Sequence, residues 1–124
     1  MNKIKDVSPT AALALIKKGA LLVDVRQPSE VARKAFDVPD TLQIPLGKIE
    51  QRFREIPENR QVIVACHSGN RSVMAARFLA SHGFRKVVSM QHGIAGWERA
   101  GLPVRSMPKQ SILSRLLQKF GGKS

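Results

Sequence analysis

The strongest constraint on this chain is the way short, uncharged apolar runs alternate with segments patterned for helix. Leu21-Leu22-Val23 runs into Asp24-Val25-Arg26, Gln61-Val62-Ile63-Val64-Ala65 delivers the chain to Cys66, and Lys86-Val87-Val88-Ser89-Met90 supplies another strand. Continuous apolar stretches of this length read as strands covered on both faces rather than as amphipathic strands with one wet face. Between them, Ser8-Pro9 has the form of an N-cap followed by proline in the first turn, ahead of a helix over Ala11 to Lys18 that Gly19 stops. Pro28 to Lys34, Val73 to Ala80 and Gly93 to Arg99 are the other short helices expected, with Gly83 and Gly101-Leu102-Pro103 as stops. Leu42-Gln43-Ile44 is a further strand closed by Pro45, and Leu46, Ile49, Phe53 and Ile56 recur at three- and four-residue steps, which predicts an amphipathic helix over 46–56. Phe36 to Asp40 reads as a turn, because Pro39 restricts its neighbour. Strands alternating with helices predict an α/β domain with a mainly parallel central sheet flanked by helices. Ligands in such sheets bind beyond the carboxyl ends of the strands, which is where Cys66 stands.

At 124 residues the chain suits one domain, and 43% hydrophobic with 24% charged residues excludes wholesale disorder. No apolar run approaches the ~20 residues of a bilayer-spanning helix. Basic residues ahead of an apolar stretch at the start look superficially like a signal peptide, but Asp6 and Lys17-Lys18 interrupt it and no small-x-small site follows, so a cytoplasmic protein is expected. The single cysteine excludes an internal disulfide, and His67, His82 and His92 lack metal-ligand spacing; no metal or other cofactor is expected.

The formal net charge is +12, divided between residues 1–104, read as the domain, and residues 105–124, read as a linker and basic tail that hold Arg105, Lys109, Arg115, Lys119 and Lys123 with no acid. Such a field favours anionic ligands of any kind. The tail places Ile112, Leu113, Leu116, Leu117 and Phe120 on one helical face, a basic amphipathic pattern too short to be stable alone in water. Packing on its own domain or in a dimer is the ordinary reading, and docking on a protein partner or an anionic membrane surface the sharper one. Nucleic acid is disfavoured, because no reader motif is present and aromatics do not interleave with the basic residues.

The segment Cys66-His67-Ser68-Gly69-Asn70-Arg71-Ser72 carries the chemistry. A lone cysteine is most often a small buried hydrophobe. Its place here, after a buried strand and before a glycine-containing loop and a helix, reverses that reading. If the loop curls so that its N–H groups point inward, they form a nest around the sulfur, reinforced by the positive end of the helix. Gly69 permits the curl by adopting positive φ, and Arg71 adds a permanent cation with a planar fork suited to oxyanions. A reactive thiolate is the expected result.

With Leu22-Val23-Asp24-Val25-Arg26 and Glu30, Ile44-Pro45-Leu46, the C-H-S-G-N-R-S loop and Gly93-Ile94-Ala95-Gly96-Trp97 in that order, the sequence resembles the rhodanese family, in its single-domain form, over about residues 4–104. The resemblance implies a thiosulfate-type sulfurtransferase. Cys66 is its nucleophile and persulfide carrier, His67, Ser68, Gly69, Asn70, Arg71 and Ser72 bind the anionic donor, and cyanide or a thiol accepts the sulfur. Related phosphatases have one more residue between cysteine and arginine, which makes a wider cradle; the four residues here match the sulfur-transferring members. Many members also carry a G-H-I-P-G-A stretch before the second strand, of which only Pro39 is kept here, and packing differences are expected there. A non-catalytic or sulfur-delivering module that uses the same fold for protein contacts is the competing reading.

Three further assignments follow from the residues. His67 is expected at the pocket rim rather than as a general base, since adjacent loop residues point apart. Asp24 and Glu30 are expected in a bracing ion-pair network, with Arg26 either in that network or toward substrate. Trp97 is expected in the core, with Gly93 and Gly96 allowing close backbone approach.

Overall fold

The computed structural model describes residues 3–106. Five parallel strands form the central sheet in the order β1 (Lys5–Val7), β6 (Val87–Met90), β5 (Val62–Ala65), β2 (Leu21–Asp24), β4 (Thr41–Gln43), and an antiparallel pair of β3 (Lys34–Phe36) with β7 (Val104–Ser106) lies apart from it. The helices are α1 (Pro9–Lys17), α2 (Pro28–Arg33), α3 (Ile49–Arg52), α4 (Asn70–Ala80) and α5 (Gly93–Arg99). This is the α/β architecture that the alternating pattern implies. β2, β5 and β6 are buried along their whole length, as their largely apolar composition requires, and the two polar members, Asp24 and Ser89, are buried with them.

Side chains of alternate parity on β5 and β2 feed two cores. Val62, Val64, Leu21 and Val23 meet Ala75, Ala76 and Leu79 of α4 on one face, and Ile63, Ala65 and Leu22 meet Ala12, Ile16, Ile94 and Trp97 of α1 and α5 on the other. Trp97 is fully buried, edge-on to Phe36 with ring centroids 5.3 Å apart, and its indole N–H donates to the Pro103 carbonyl at 2.7 Å, so it is a core residue as expected. The Ser8 hydroxyl caps α1 by accepting the Ala11 N–H at 3.1 Å, with Pro9 in the first turn.

Four parts of the chain depart from the sequence reading. Residues 46–56 are not one helix but a 3₁₀ turn at Leu46–Lys48, the single turn α3, and a second 3₁₀ turn at Phe53–Glu55. The apolar face is nonetheless where the spacing put it, with Ile49 and Ile56 buried, because steps of three and four fit a 3₁₀ period as well as an α period, and none of these ends has a side-chain cap to favour a longer helix. Phe36, read as the start of a turn, ends β3 instead, and its partner strand β7 is likewise new. β1 was not foreseen either. A strand of three residues, two of them charged, has no readable period, and its pairing with β6 supplies what the sequence lacks. The expected tail helix lies outside the described residues, which end with β7.

The chain passes from β2 outward to β4 and then returns to β5 on the other side of β2, so the strand order reverses between β2 and β5. Just beyond their carboxyl ends lie Arg26 and Cys66, in the crevice where this class of sheet places its ligands.

Candidate active site

Cys66 follows the last residue of β5 and is 1% exposed. Its Sγ accepts the Gly69 N–H at 3.0 Å and lies 3.7 Å from the Ser72 hydroxyl, to which the thiol donates. Gly69 has φ +111°, the left-handed conformation the curl demands, and it turns the loop into the first residue of α4. The inward-facing amide and the start of α4 both present positive partial charge to the sulfur.

The outer side of the loop is held by α5. The Ile94 N–H donates to the Cys66 carbonyl at 2.8 Å and the Ala95 N–H to the His67 carbonyl at 3.1 Å. The Cys66 and His67 carbonyls are thus engaged on the α5 side, while the Gly69 N–H faces the sulfur. Gly93 makes this approach possible, since a Cβ there, at φ +53°, would collide with the backbone carbonyls of Cys66 and His67. The close approach expected at Gly93 is therefore to the backbone of Cys66 and His67.

Arg71, half-buried, is gripped by Glu30 of α2 through two parallel bonds, Nη1 to Oε1 at 2.7 Å and Nη2 to Oε2 at 2.9 Å. Glu30 also accepts the Gln27 N–H at 2.7 Å and so completes the N-terminal box of its own helix. The hydrogen-bonded guanidinium holds the Glu30 carboxyl down at about 2. In return, the Arg71 pKa is raised, chiefly by that bond, with the charge of Cys66 also contributing. Two of the five Arg71 donors are committed to Glu30.

Asp24 and Arg26 form a buried pair, 1% and 2% exposed, with Nη2 to Oδ2 at 2.7 Å and the Arg26 backbone N–H donating to Oδ1 at 3.1 Å. Arg26 Nη1 also donates to the Lys34 carbonyl at 2.9 Å. Asp24 and Glu30 each stand in an ion pair as expected; Arg26 pairs with Asp24, reaches the Glu30 carbonyl through Nη1 at 3.5 Å, and also lines the groove beside His67. His67 and Ser68 are exposed, as is Asn70 at the start of α4. His67 lines a groove of about 590 Å³ together with Glu30, Arg33, Ile94 and Glu98. Ser72 is fully buried, and its hydroxyl donates to the Gly69 carbonyl at 3.0 Å. Its other neighbour, Ser89 of β6 at 2.8 Å, was not singled out from the sequence; a hydroxyl between Val88 and Met90 in an otherwise apolar strand was the available signal.

The profile of the family described as "Rhodanese-like domain" matches residues 8–100. A protein of Allochromatium vinosum named sulfurtransferase is 39% identical, the match spanning 84% of this chain and 94% of that one. Thiosulfate sulfurtransferase GlpE of Pseudomonas syringae is 35% identical over 78% of this chain and 90% of its own length. Among solved structures, a rhodanese-related protein of Thermoplasma volcanium superposes with TM-score 0.73 at 26% identity, covering 82% of this chain and 97% of that one.

Proposed function

The chain belongs to the rhodanese-like domain family, and on that premise we propose that it is a sulfurtransferase carrying a sulfane sulfur from thiosulfate, or a similar small anionic donor, to cyanide or a thiol through a persulfide on Cys66. The observation that carries the reading is the Gly69 N–H aimed at Cys66 Sγ from a loop whose carbonyls are engaged on the opposite side. The Gly69 N–H is placed to donate to negative charge on the sulfur as it develops during transfer.

In the first step the thiolate attacks the outer sulfur of thiosulfate. An Sγ–S bond forms, the S–S bond of the donor breaks, and sulfite leaves with the electron pair. The 67–71 backbone and the uncommitted donors of Arg71 are assigned to hold the transferred sulfur beyond Sγ. In the second step an acceptor thiolate or cyanide attacks that outer sulfur and Sγ departs as thiolate. No general base is required, and His67 takes the rim position, its imidazole lining the groove beside the loop. The four residues between Cys66 and Arg71, and the lack of an acid within the loop, weigh against phosphatase chemistry. A thiol that cycles through a free sulfhydryl suits a reducing compartment, which supports a cytoplasmic location; among the described residues, no helix is long and apolar enough to cross a membrane.

Intact-mass measurement after incubation with thiosulfate tests the proposal. A sulfur-sized increment that Cys66→Ser abolishes is the expected result. Absence of any adduct across a range of sulfane donors overturns it in favour of an interaction module.

A further inference from the structure

We propose that Ser89 is a positioning residue for Cys66, acting through Ser72. It holds the Ser72 hydroxyl so that this proton swings between the Gly69 carbonyl and Cys66 Sγ as the sulfur gains and loses negative charge. The inference rests on the sulfurtransferase reading only for the reason why the charge comes and goes.

Ser72 and Ser89 are both fully buried, and their hydroxyl oxygens are 2.8 Å apart. A hydroxyl buried without a partner is costly, and among the described residues the partner of Ser89 is Ser72. Two hydroxyl protons therefore serve three acceptors: Ser72 Oγ, the Gly69 carbonyl at 3.0 Å and Sγ at 3.7 Å. The Gly69 carbonyl and the sulfur compete for the single Ser72 proton, which leaves Ser89 as the donor to Ser72 in either arrangement.

While Cys66 is a thiol, its S–H donates to Ser72 and Ser72 donates to the Gly69 carbonyl. Once that proton has left to water the sulfur can only accept, and the Ser72 proton turns to it. In the return step an acceptor thiolate attacks the outer sulfur of the persulfide. The new S–S bond forms, the bond to Sγ breaks, and the electron pair settles on Sγ, where the Ser72 hydroxyl meets it. Ser89 donates throughout. It polarises the Ser72 O–H and prevents Ser72 from turning its proton toward β6. The same contact ties the nucleophile to the neighbouring strand, since Ser89 pairs in register with Val64 of β5.

The test compares wild type, Ser89→Ala, Ser72→Ala and the double variant in two assays. One is the rate of Cys66 alkylation by iodoacetamide, a neutral probe, and the other is kcat and KM for thiosulfate. Loss of one supporting hydrogen bond lowers the alkylation rate and kcat of Ser89→Ala by roughly 3- to 10-fold with KM unchanged. Because Ser89 acts through Ser72, the double variant is no slower than Ser72→Ala alone. Losses that multiply in the double variant, a rise in KM with kcat unchanged, or an alkylation rate unaffected by Ser89→Ala would each overturn the proposal. If Ser89→Ala does not fold, Ser89→Gly removes the same hydroxyl and is judged by the same criteria. Alkylation needs no sulfur donor, so failure of sulfur uptake from thiosulfate in wild type would defeat the sulfurtransferase reading while leaving this comparison intact.

Discussion

Replacing Glu30 with Gln removes the charge that holds Arg71 in place, and the structure fixes the expected cost. The two bonds are 2.7 and 2.9 Å, the side chains of Arg71 and Glu30 are 31% and 28% exposed, and the carboxyl pKa falls from an ordinary 4.5 to about 2. Linkage over that interval sets a ceiling of about 3 kcal/mol, which partial exposure and salt reduce to about 1–2 kcal/mol. The sign follows from the direction of the shift. A carboxyl depressed in the folded state stabilises the fold above its unfolded pKa, and that stabilisation is lost as pH falls from about 4.5 toward 2. Urea unfolding of wild type and Glu30→Gln at a series of pH values isolates this contribution, because the other carboxylates titrate alike in both proteins. The variant is expected to be about 1–2 kcal/mol less stable near neutral pH, with the difference shrinking toward zero near pH 2. A difference that persists undiminished to the acid limit, or no difference at neutral pH, refutes the assignment of this pair as the brace of the loop.

Two further outcomes are expected. Arg71→Ala weakens use of dianionic thiosulfate more than it slows iodoacetamide alkylation of Cys66, and part of the loss is recovered in Arg71→Ala/Glu30→Ala, since the single variant leaves an unpaired carboxylate beside the anion site; equal losses in both assays would remove Arg71 from donor binding. Asp24→Ala strands the guanidinium of Arg26, 2% exposed, and is expected to cost about 3–5 kcal/mol in chemical denaturation, a loss below about 1 kcal/mol being incompatible with a desolvated pair.

The α/β fold was legible because strands buried on both faces must be mainly apolar, and β2, β5 and β6 are, with only Asp24 and Ser89 as polar members. Helix ends were legible where side chains set them, as at Ser8-Pro9. The short strands β1, β3 and β7 were not. They hold their conformation through partners distant in sequence, such as Lys5 opposite Val88 and Phe36 opposite Val104, so no local pattern encodes them. Residues 46–56 mark the boundary between the two cases: the spacing of apolar residues located the buried face but did not distinguish a 3₁₀ from an α backbone.

The candidate site divides in the same way. By itself the sequence determined that one cysteine follows a buried strand, that a glycine able to take positive φ stands three residues later, and that a helix follows; these are covalent and steric facts of a short segment. Only the tertiary structure decided which way the loop faces and what holds it there. Its carbonyls are engaged by Ile94 and Ala95, its arginine by Glu30, and its serine by Ser89. Each of these partners comes from another element, and a hydrogen bond between distant elements exists only once the cores beneath them have closed.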